Sequence, residues 1–197
     1  AENGTSPGCP EKKDHCKAFP CKHGGKCLDG WGTYICVCPF GWGGKDCSES
    51  IDPVRQFHGS GYLVFTPALR PIHLPWSMSL SLRTRVNNSL LLKAQMGQNA
   101  FSVIELRDGY IRYQHNQDYV TMGLKKLDDG SWHNVEVKWM PGEVWISVDY
   151  GHYEVTKAVS ARIEGLYVGK VSVGGTEFVD ENNNYVSFKG CIQDVRI

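Results

Sequence analysis

Apolar and polar side chains alternate along residues 78–86. One set of alternate positions holds Met78, Leu80, Leu82, Thr84 and Val86, and the other holds Ser79, Ser81, Arg83 and Arg85. A period of two predicts a β-strand that buries one face and exposes the other. Residues 101–106, 135–139 and 144–148 show similar alternation.

Dipeptides that suit tight hairpin turns separate these runs: Asp108-Gly109, Pro141-Gly142 and Tyr150-Gly151. Residues 54–197 are rich in β-branched and aromatic side chains and contain one cysteine. We therefore predict an all-β chain in which residues 54–197 form one antiparallel sandwich domain.

Six cysteines lie close together in the spacing C-x4-C-x5-C-x8-C-x-C-x8-C; they are Cys16, Cys21, Cys27, Cys36, Cys38 and Cys47. So short a segment cannot bury enough apolar surface to fold alone, and cross-links replace a core. The paired C-x2-C knuckles of a zinc site are absent. The pattern predicts an extracellular, disulfide-rich module over residues 12–48, after an amino-terminal segment at 1–11. Six cysteines can pair in several ways, among which the spacing alone does not choose.

The cysteine spacing resembles that of epidermal-growth-factor-like (EGF-like) modules, and the glycines agree. Gly24 and Gly25 precede the third cysteine, and Gly41 and Gly44 precede the sixth. The resemblance implies a definite pairing, which is Cys16 with Cys27, Cys21 with Cys36, and Cys38 with Cys47.

Residues 127–137, LDDGSWHNVEV, resemble the hallmark of laminin G-like domains, in which an acidic turn leads into a strand that opens with Trp-His. Three further segments, 89–92 before this motif and 144–149 and 188–197 after it, occur in the order typical of that family. The resemblance covers nearly all of residues 54–197. It implies a jelly-roll sandwich of roughly a dozen or more strands, whose loops at one edge usually bind partners. It also implies that Trp132 and His133 pack where their strand begins.

Cys191 departs from the family pattern. The closing cysteine of such domains ordinarily pairs within the domain, but residues 48–190 contain no cysteine. One hypothesis joins Cys9 to Cys191. The alternative pairs Cys9 with an absent upstream module and leaves Cys191 free and buried as a small apolar residue. We favour the first, because an unpaired thiol is a liability in an oxidising compartment.

The chain has 21 basic and 21 acidic side chains, which argues against nucleic acid and acidic membranes as partners. No stretch approaches the roughly 18 consecutive apolar residues of a membrane span, and no signal segment begins the chain. We therefore expect a piece of a larger protein. Asn3 and Asn87 begin acceptor motifs for N-linked glycan, as in an extracellular glycoprotein.

Calcium binding is the main cofactor question, because both families include calcium-binding members. Asp29 matches part of the EGF-like calcium pattern, but residues 12–15, KKDH, replace the acidic residues expected before the first cysteine. In the sandwich, residues 113–118 place neutral or imidazole side chains where the family has its metal-ligating Asp. Asp118 and Asp180 are the best remaining oxygen donors. We expect no cofactor and keep these two as calcium candidates.

No residues suggest catalysis, and we predict that the chain is not an enzyme. His133 suits a half-buried, hydrogen-bonded structural role better than that of a general base. Cys191 lies in a closing strand. Glu136 and Asp149 are explained as isolated acids on strands, without the paired carboxylates of a glycoside hydrolase.

Two functions remain open. The first is a protein-interaction and spacing unit in a cell-surface adhesion receptor. The second is a lectin-like binder of matrix glycans, or a fragment of a secreted matrix protein. The cations that a glycan would need are scattered along the sequence, although folding can gather them: Arg70, Arg83, Arg85, Lys125 and Lys126. We favour the first function, with an extracellular protein or neighbouring modules as partners. The segment 57–62 resembles atypical cadherin ectodomains, whose parent receptors are membrane-anchored.

Overall fold

The computed structural model describes residues 13–30, 32–39, 41–51, 54–177 and 185–197, and every regular element in these ranges is a β-strand. The chain divides into two compact units, Ala1–Ser50 and Ile51–Ile197. The small unit contains β1 (Lys26–Gly30), β2 (Thr33–Val37), β3 (Trp42–Gly43) and β4 (Glu49–Ser50). The large unit contains β5 (Arg55–His58), β6 (Leu63–Phe65), β7 (Trp76–Thr84), β8 (Ser89–Met96), β9 (Ala100–Arg107), β10 (Tyr110–His115), β11 (Asp118–Met122), β12 (Trp132–Met140), β13 (Glu143–Val148), β14 (Tyr153–Ala158), β15 (Val168–Val173) and β16 (Lys189–Arg196). The predicted all-β fold is confirmed.

The small unit has almost no apolar core. It consists of two antiparallel hairpin-like pairs, β1 with β2 and β3 with β4. Among its described apolar side chains, only those of Cys36 and Cys47 are buried. Its covalent cross-links therefore carry most of the stabilisation that a core supplies in larger domains.

The large unit is a sandwich of two six-stranded sheets. Sheet I has the strand order β11-β10-β9-β8-β15-β6, and sheet II has the order β14-β13-β12-β7-β16-β5. Pairing jumps between strands far apart in sequence, as in a jelly roll. The predicted jelly-roll sandwich is confirmed.

The core lies between the two sheets and follows the alternation in the sequence. On β7, Met78, Leu80 and Leu82 are completely buried, and Val135 and Val137 of the neighbouring β12 are buried beside them. Residues paired across antiparallel strands share a face. One face of sheet II therefore packs against sheet I, and the other faces solvent.

Left-handed backbone conformations occur at two of the predicted turns. Asp108 and Gly109, between β9 and β10, have φ angles of 52° and 85°. Asp149 and Tyr150, after β13, have φ angles of 54° and 58°. Positive φ in the turn matches the right-handed twist of the flanking strands. The described residues contain no helix that is long and apolar enough to cross a membrane.

Candidate functional site

Three disulfides hold the small unit, with the pairing that the resemblance implied. They join Cys16 to Cys27, Cys21 to Cys36, and Cys38 to Cys47. Gly25 packs directly against one of them, because a Cβ atom at this position would lie 2.7 Å from the Sγ atom of Cys47. A side chain at residue 25 would displace the cross-link.

An acidic cluster lies beside the first disulfide. Asp14 precedes Cys16 by two residues, and Asp29 follows Cys27 by two, so the Cys16–Cys27 bond brings both carboxylates together within 4.8 Å. Asp14 accepts a hydrogen bond from the backbone N–H of Cys16 at 3.0 Å, and Asp29 accepts one from that of His15 at 3.2 Å. The sulfur of Cys16 is committed to the disulfide and is not a thiolate ligand. The cluster therefore offers only two carboxylates to a cation.

Asp118, the calcium candidate within the described part of the sandwich, does not form a comparable cluster. Asp118 is exposed at the start of β11, opposite His115. Among the described residues, it belongs to no group of three His, Cys, Asp or Glu side chains close enough to share a metal ion. Asp180 lies outside the described residues. Calcium prefers six to eight oxygen ligands, which the described surroundings of Asp118 do not supply.

Calorimetric titration of calcium into chelator-treated protein is expected to give no heat, or binding no tighter than about 10⁻³ M, because two carboxylates make a weak site. Asp29→Asn is the control variant, since it removes one of the two carboxylates. A micromolar constant in the unaltered chain that Asp29→Asn abolishes would contradict this expectation.

His133 is buried and is fixed from both sides by carboxylates. Its Nδ1 atom lies 3.0 Å from an oxygen of Asp149, and its Nε2 atom lies 2.9 Å from an oxygen of Asp129. Burial alone lowers the pKa of His133, but the hydrogen bonds and charges of the two carboxylates outweigh it and leave the pKa raised. Burial raises the pKa of Asp129. The hydrogen bonds that it accepts from His133, Ser131 and Lys125, together with the charge of His133, outweigh burial and hold this pKa well below its usual range. Both ring nitrogens are engaged, which is consistent with the predicted structural role.

A second polar network, which the sequence did not indicate, lies inside the sandwich. The hydroxyl of Tyr113 accepts a hydrogen bond from Nε1 of Trp139 at 2.8 Å and is 2.8 Å from the hydroxyl of Ser102. That serine hydroxyl is 3.0 Å from Nδ1 of His115. All four side chains are buried. Burial lowers the pKa of His115, against an opposing effect of the Asp118 charge, and it raises the pKa of Tyr113.

The two buried histidines are expected to give stability opposite pH dependences. His133, with a raised folded-state pKa, contributes stability that is complete below about pH 6.5 and is lost as the pH rises through the folded-state pKa. His115, with a lowered pKa, costs stability as the pH falls below about 6.5, because the unfolded chain binds the proton more readily.

Urea unfolding from about pH 5 to about pH 9 checks this expectation with His133→Asn and His115→Phe. Relative to the unaltered chain, the first variant should lose most stability at acidic pH. The stability of the second variant relative to the unaltered chain should be highest at acidic pH. If the stability of both variants varied with pH in parallel with that of the unaltered chain, neither histidine would titrate as described.

The structure places Trp132 and Cys191 on the outer face of sheet II. Trp132 pairs with Arg83 of β7, and Cys191 pairs with the same arginine from the other side. Both side chains are partly exposed, and the neighbouring His133 takes the inward position at the start of β12. Cys191 forms no disulfide with any of the described cysteines. Because it is not buried, it does not act as a small core residue. Cys9 lies outside the described residues, and its pairing with Cys191 stays a prediction.

The basic residues named from the sequence separate into two groups and one isolated side chain. Lys125 binds Asp129 at 3.1 Å, and Lys126 lies over the ring of Tyr110. Arg83 and Arg85 both line a groove at the β5–β16–β7 end of the outer face of sheet II. Arg70 is exposed and belongs to neither group.

The glycan acceptor Asn87 is exposed in the turn between β7 and β8, directly after the groove residues Arg85 and Val86. Its backbone carbonyl accepts a hydrogen bond from Gly109 at 2.9 Å. This position leaves the side-chain amide accessible, and glycosylation at Asn87 stays a prediction. Asn3 lies outside the described residues.

The fold and its surface define an extracellular, disulfide-bearing module joined to a jelly-roll sandwich. The laminin G domain model matches residues 82–197, and the EGF-like domain model matches residues 16–46. The chain therefore belongs to the laminin G domain family and carries an EGF-like domain before it. Both resemblances seen in the sequence are confirmed.

Curated relatives match the whole chain. It is 44% identical over its full length to Protocadherin-like wing polarity protein stan of Drosophila melanogaster, of which it covers 6%. It is 32% identical over its full length to Cadherin EGF LAG seven-pass G-type receptor 2 of Homo sapiens, of which it covers 7%. The chain thus spans a small fraction of these relatives. Both names confirm the predicted resemblance to atypical cadherins, and the location of the chain is extracellular.

Solved structures agree on the fold. Mouse laminin α1 chain domains LG4-5 match with a TM-score of 0.58 and 20% identity, over 72% of this chain and 41% of that one. The LG1-3 region of the laminin α2 chain matches with a TM-score of 0.58 and 23% identity, over 77% of this chain and 31% of that one. At this level of identity the likeness concerns the fold alone.

Proposed function

We propose that the chain is a protein-interaction and spacing unit in the ectodomain of a membrane-anchored cell-adhesion receptor. The observation that carries this proposal is the match over the whole chain to a protocadherin-like protein and to a cadherin receptor. The sandwich supplies surface loops, which often carry binding residues. The cross-linked small unit adds a stiff spacer. Its partner is an extracellular protein or a neighbouring module.

A catalytic role finds no support in the geometry of the described residues. Both nitrogens of His133 are held by carboxylates, so neither is free to move a proton. Glu136 lies on the outer face of sheet II, whereas Asp149 points to His133, so they do not form an acid pair. One relative is named as a protocadherin-like protein and the other as a cadherin receptor, and neither is named as an enzyme. The proposed function is therefore non-catalytic.

A heparin column separates this proposal from the glycan-binding alternative. Lys125 and Lys126 are engaged with Asp129 and Tyr110, and of the other named cations only Arg83 and Arg85 share one surface. The chain is therefore expected to flow through at about 0.15 M salt, where exposed charge contacts are strongly screened. Retention at that salt would favour glycan binding.

A further inference from the structure

The outer face of sheet II carries a basic groove, which we define by Arg83, Arg85, His58 and Lys189. Its volume is about 430 Å³. All four side chains are exposed. They come from three segments that are far apart in the sequence, and these segments share one surface only in the folded sandwich.

Strand register explains why these side chains share a face. Lys189 of β16 pairs with His58 of β5, and Cys191, two residues further along β16, pairs with Arg83 of β7. Residues two apart on a strand lie on the same face, and so do paired residues. Lys189, His58 and Arg83 are therefore all directed to the outer face.

The turn at Gly130 holds the two arginines against this surface. The Nε–H of Arg83 donates a hydrogen bond to the carbonyl of Gly130 at 2.7 Å. The guanidinium of Arg85 packs so closely on Gly130, which has a φ of 80°, that a Cβ atom there would overlap it. The positive φ favours glycine, and a larger residue at 130 would displace the Arg85 guanidinium.

The positive charge of the groove is not neutralised by its lining. Among the described residues that line it, none is an aspartate or a glutamate. Asp129, beside Gly130 in sequence, is already bound by His133 and Lys125. The groove therefore presents a local positive potential on a chain whose net charge is zero.

Two features distinguish a peptide from other anionic ligands. First, Val86 and Cys191 give the groove an apolar floor between its cations. Second, β5 is an edge strand, and in the described part of the chain it pairs only with β16. An edge strand offers backbone hydrogen-bonding groups to an extended peptide, which can also place alternate side chains on the floor and on the cations.

We propose that the basic groove binds an extended acidic segment of a partner protein, with carboxylates against Arg83, Arg85 and Lys189 and apolar side chains over Val86 and Cys191. This inference rests on the proposed protein-interaction function and assigns its partner a place and a chemistry. Arginine suits carboxylates because its planar fork can bind both oxygens.

Fluorescence anisotropy with a labelled peptide of alternating glutamate and valine tests the proposal on the full chain. The double variant Arg85→Gln with Lys189→Gln should weaken binding about tenfold, the size expected for two exposed charge contacts. Lys138→Gln is the matched control, because Lys138 lies on the same face of sheet II, outside the groove. It should leave the affinity unchanged. No binding to the unaltered chain, or equal losses in both variants, would overturn the proposal.

Amide NMR shifts locate the peptide and distinguish it from a glycan. Addition of the peptide should move the signals of Gln56, His58 and Cys191 most, and a peptide of alternating lysine and valine should move none of them. Shifts centred elsewhere would reject the groove. A heparin fragment that moves the same signals at lower concentration than the acidic peptide would assign the groove to glycans instead. If the groove fails while the chain still binds cell-surface proteins, the proposed function stands and only this site is wrong.

Discussion

Replacing Cys21 and Cys36 together with alanine is expected to unfold the small unit and leave the large unit folded. In the described part of the small unit, the buried apolar side chains are themselves cysteines, so no core compensates for a lost bond. The Cys21–Cys36 bond spans 15 residues, and a cross-link of that length contributes roughly 3 kcal/mol. That is comparable to the whole stability of so small a module. Amide NMR should show collapsed dispersion for residues 13–50 and native dispersion for residues 54–177.

Lys26→Ala with Val37→Ala is the matched control, because these two exposed side chains pair across β1 and β2 and neither is a cysteine. Both units should keep their native spectra in this variant. Native dispersion of residues 13–50 in the Cys21 and Cys36 variant would show that the small unit has a core beyond its cross-links. Collapse of both units would show that the large unit depends on the small one.

Trp139→Ala is expected to destabilise the sandwich by about 3 to 5 kcal/mol, the range for removal of a fully buried large aromatic ring. Trp139 is only 2% exposed and packs edge-on against the rings of Tyr113 and His115. Its loss also leaves the Tyr113 hydroxyl without its N–H donor. Urea unfolding followed by far-UV circular dichroism measures the change.

Trp145→Ala provides a close comparison for Trp139. Trp145 lies on the adjacent strand of the same sheet, faces outward, and donates a hydrogen bond to Glu143 at 2.7 Å. Its removal should cost less than about 1 kcal/mol, since it opens no cavity in the core. Similar losses in both variants would contradict the assignment of inner and outer faces in sheet II.

The sheets could be predicted because period-two alternation reports directly which side of a strand is buried. The alternation around Leu80 and Leu82 appears in the structure as a buried inner face. The resemblance placed Trp132 and His133 at the start of their strand but assigned neither side chain to a face. Register instead aligns His133 with inward Leu82 and Trp132 with outward Arg83. The two flanking carboxylates stabilise the buried imidazole.

The candidate sites were harder to predict, because they depend on long-range pairing. His58 and Lys189 meet only when β5 pairs with β16, which no local pattern reveals. The Asp14 and Asp29 cluster was within reach of the sequence. Each aspartate lies two residues from one end of the implied Cys16–Cys27 bond, so that bond alone predicts their proximity.

Binding of a fluorescent, tetramerised form of the chain to intact epithelial cells tests the central claim most directly. Flow cytometry should detect binding that protease treatment of the cells abolishes and that heparinase and chondroitinase treatment leaves unchanged. That result would identify a protein partner at the cell surface. Binding that the glycan-degrading enzymes abolish, or no binding at all, would contradict the claim that the chain is a protein-interaction unit of an adhesion receptor.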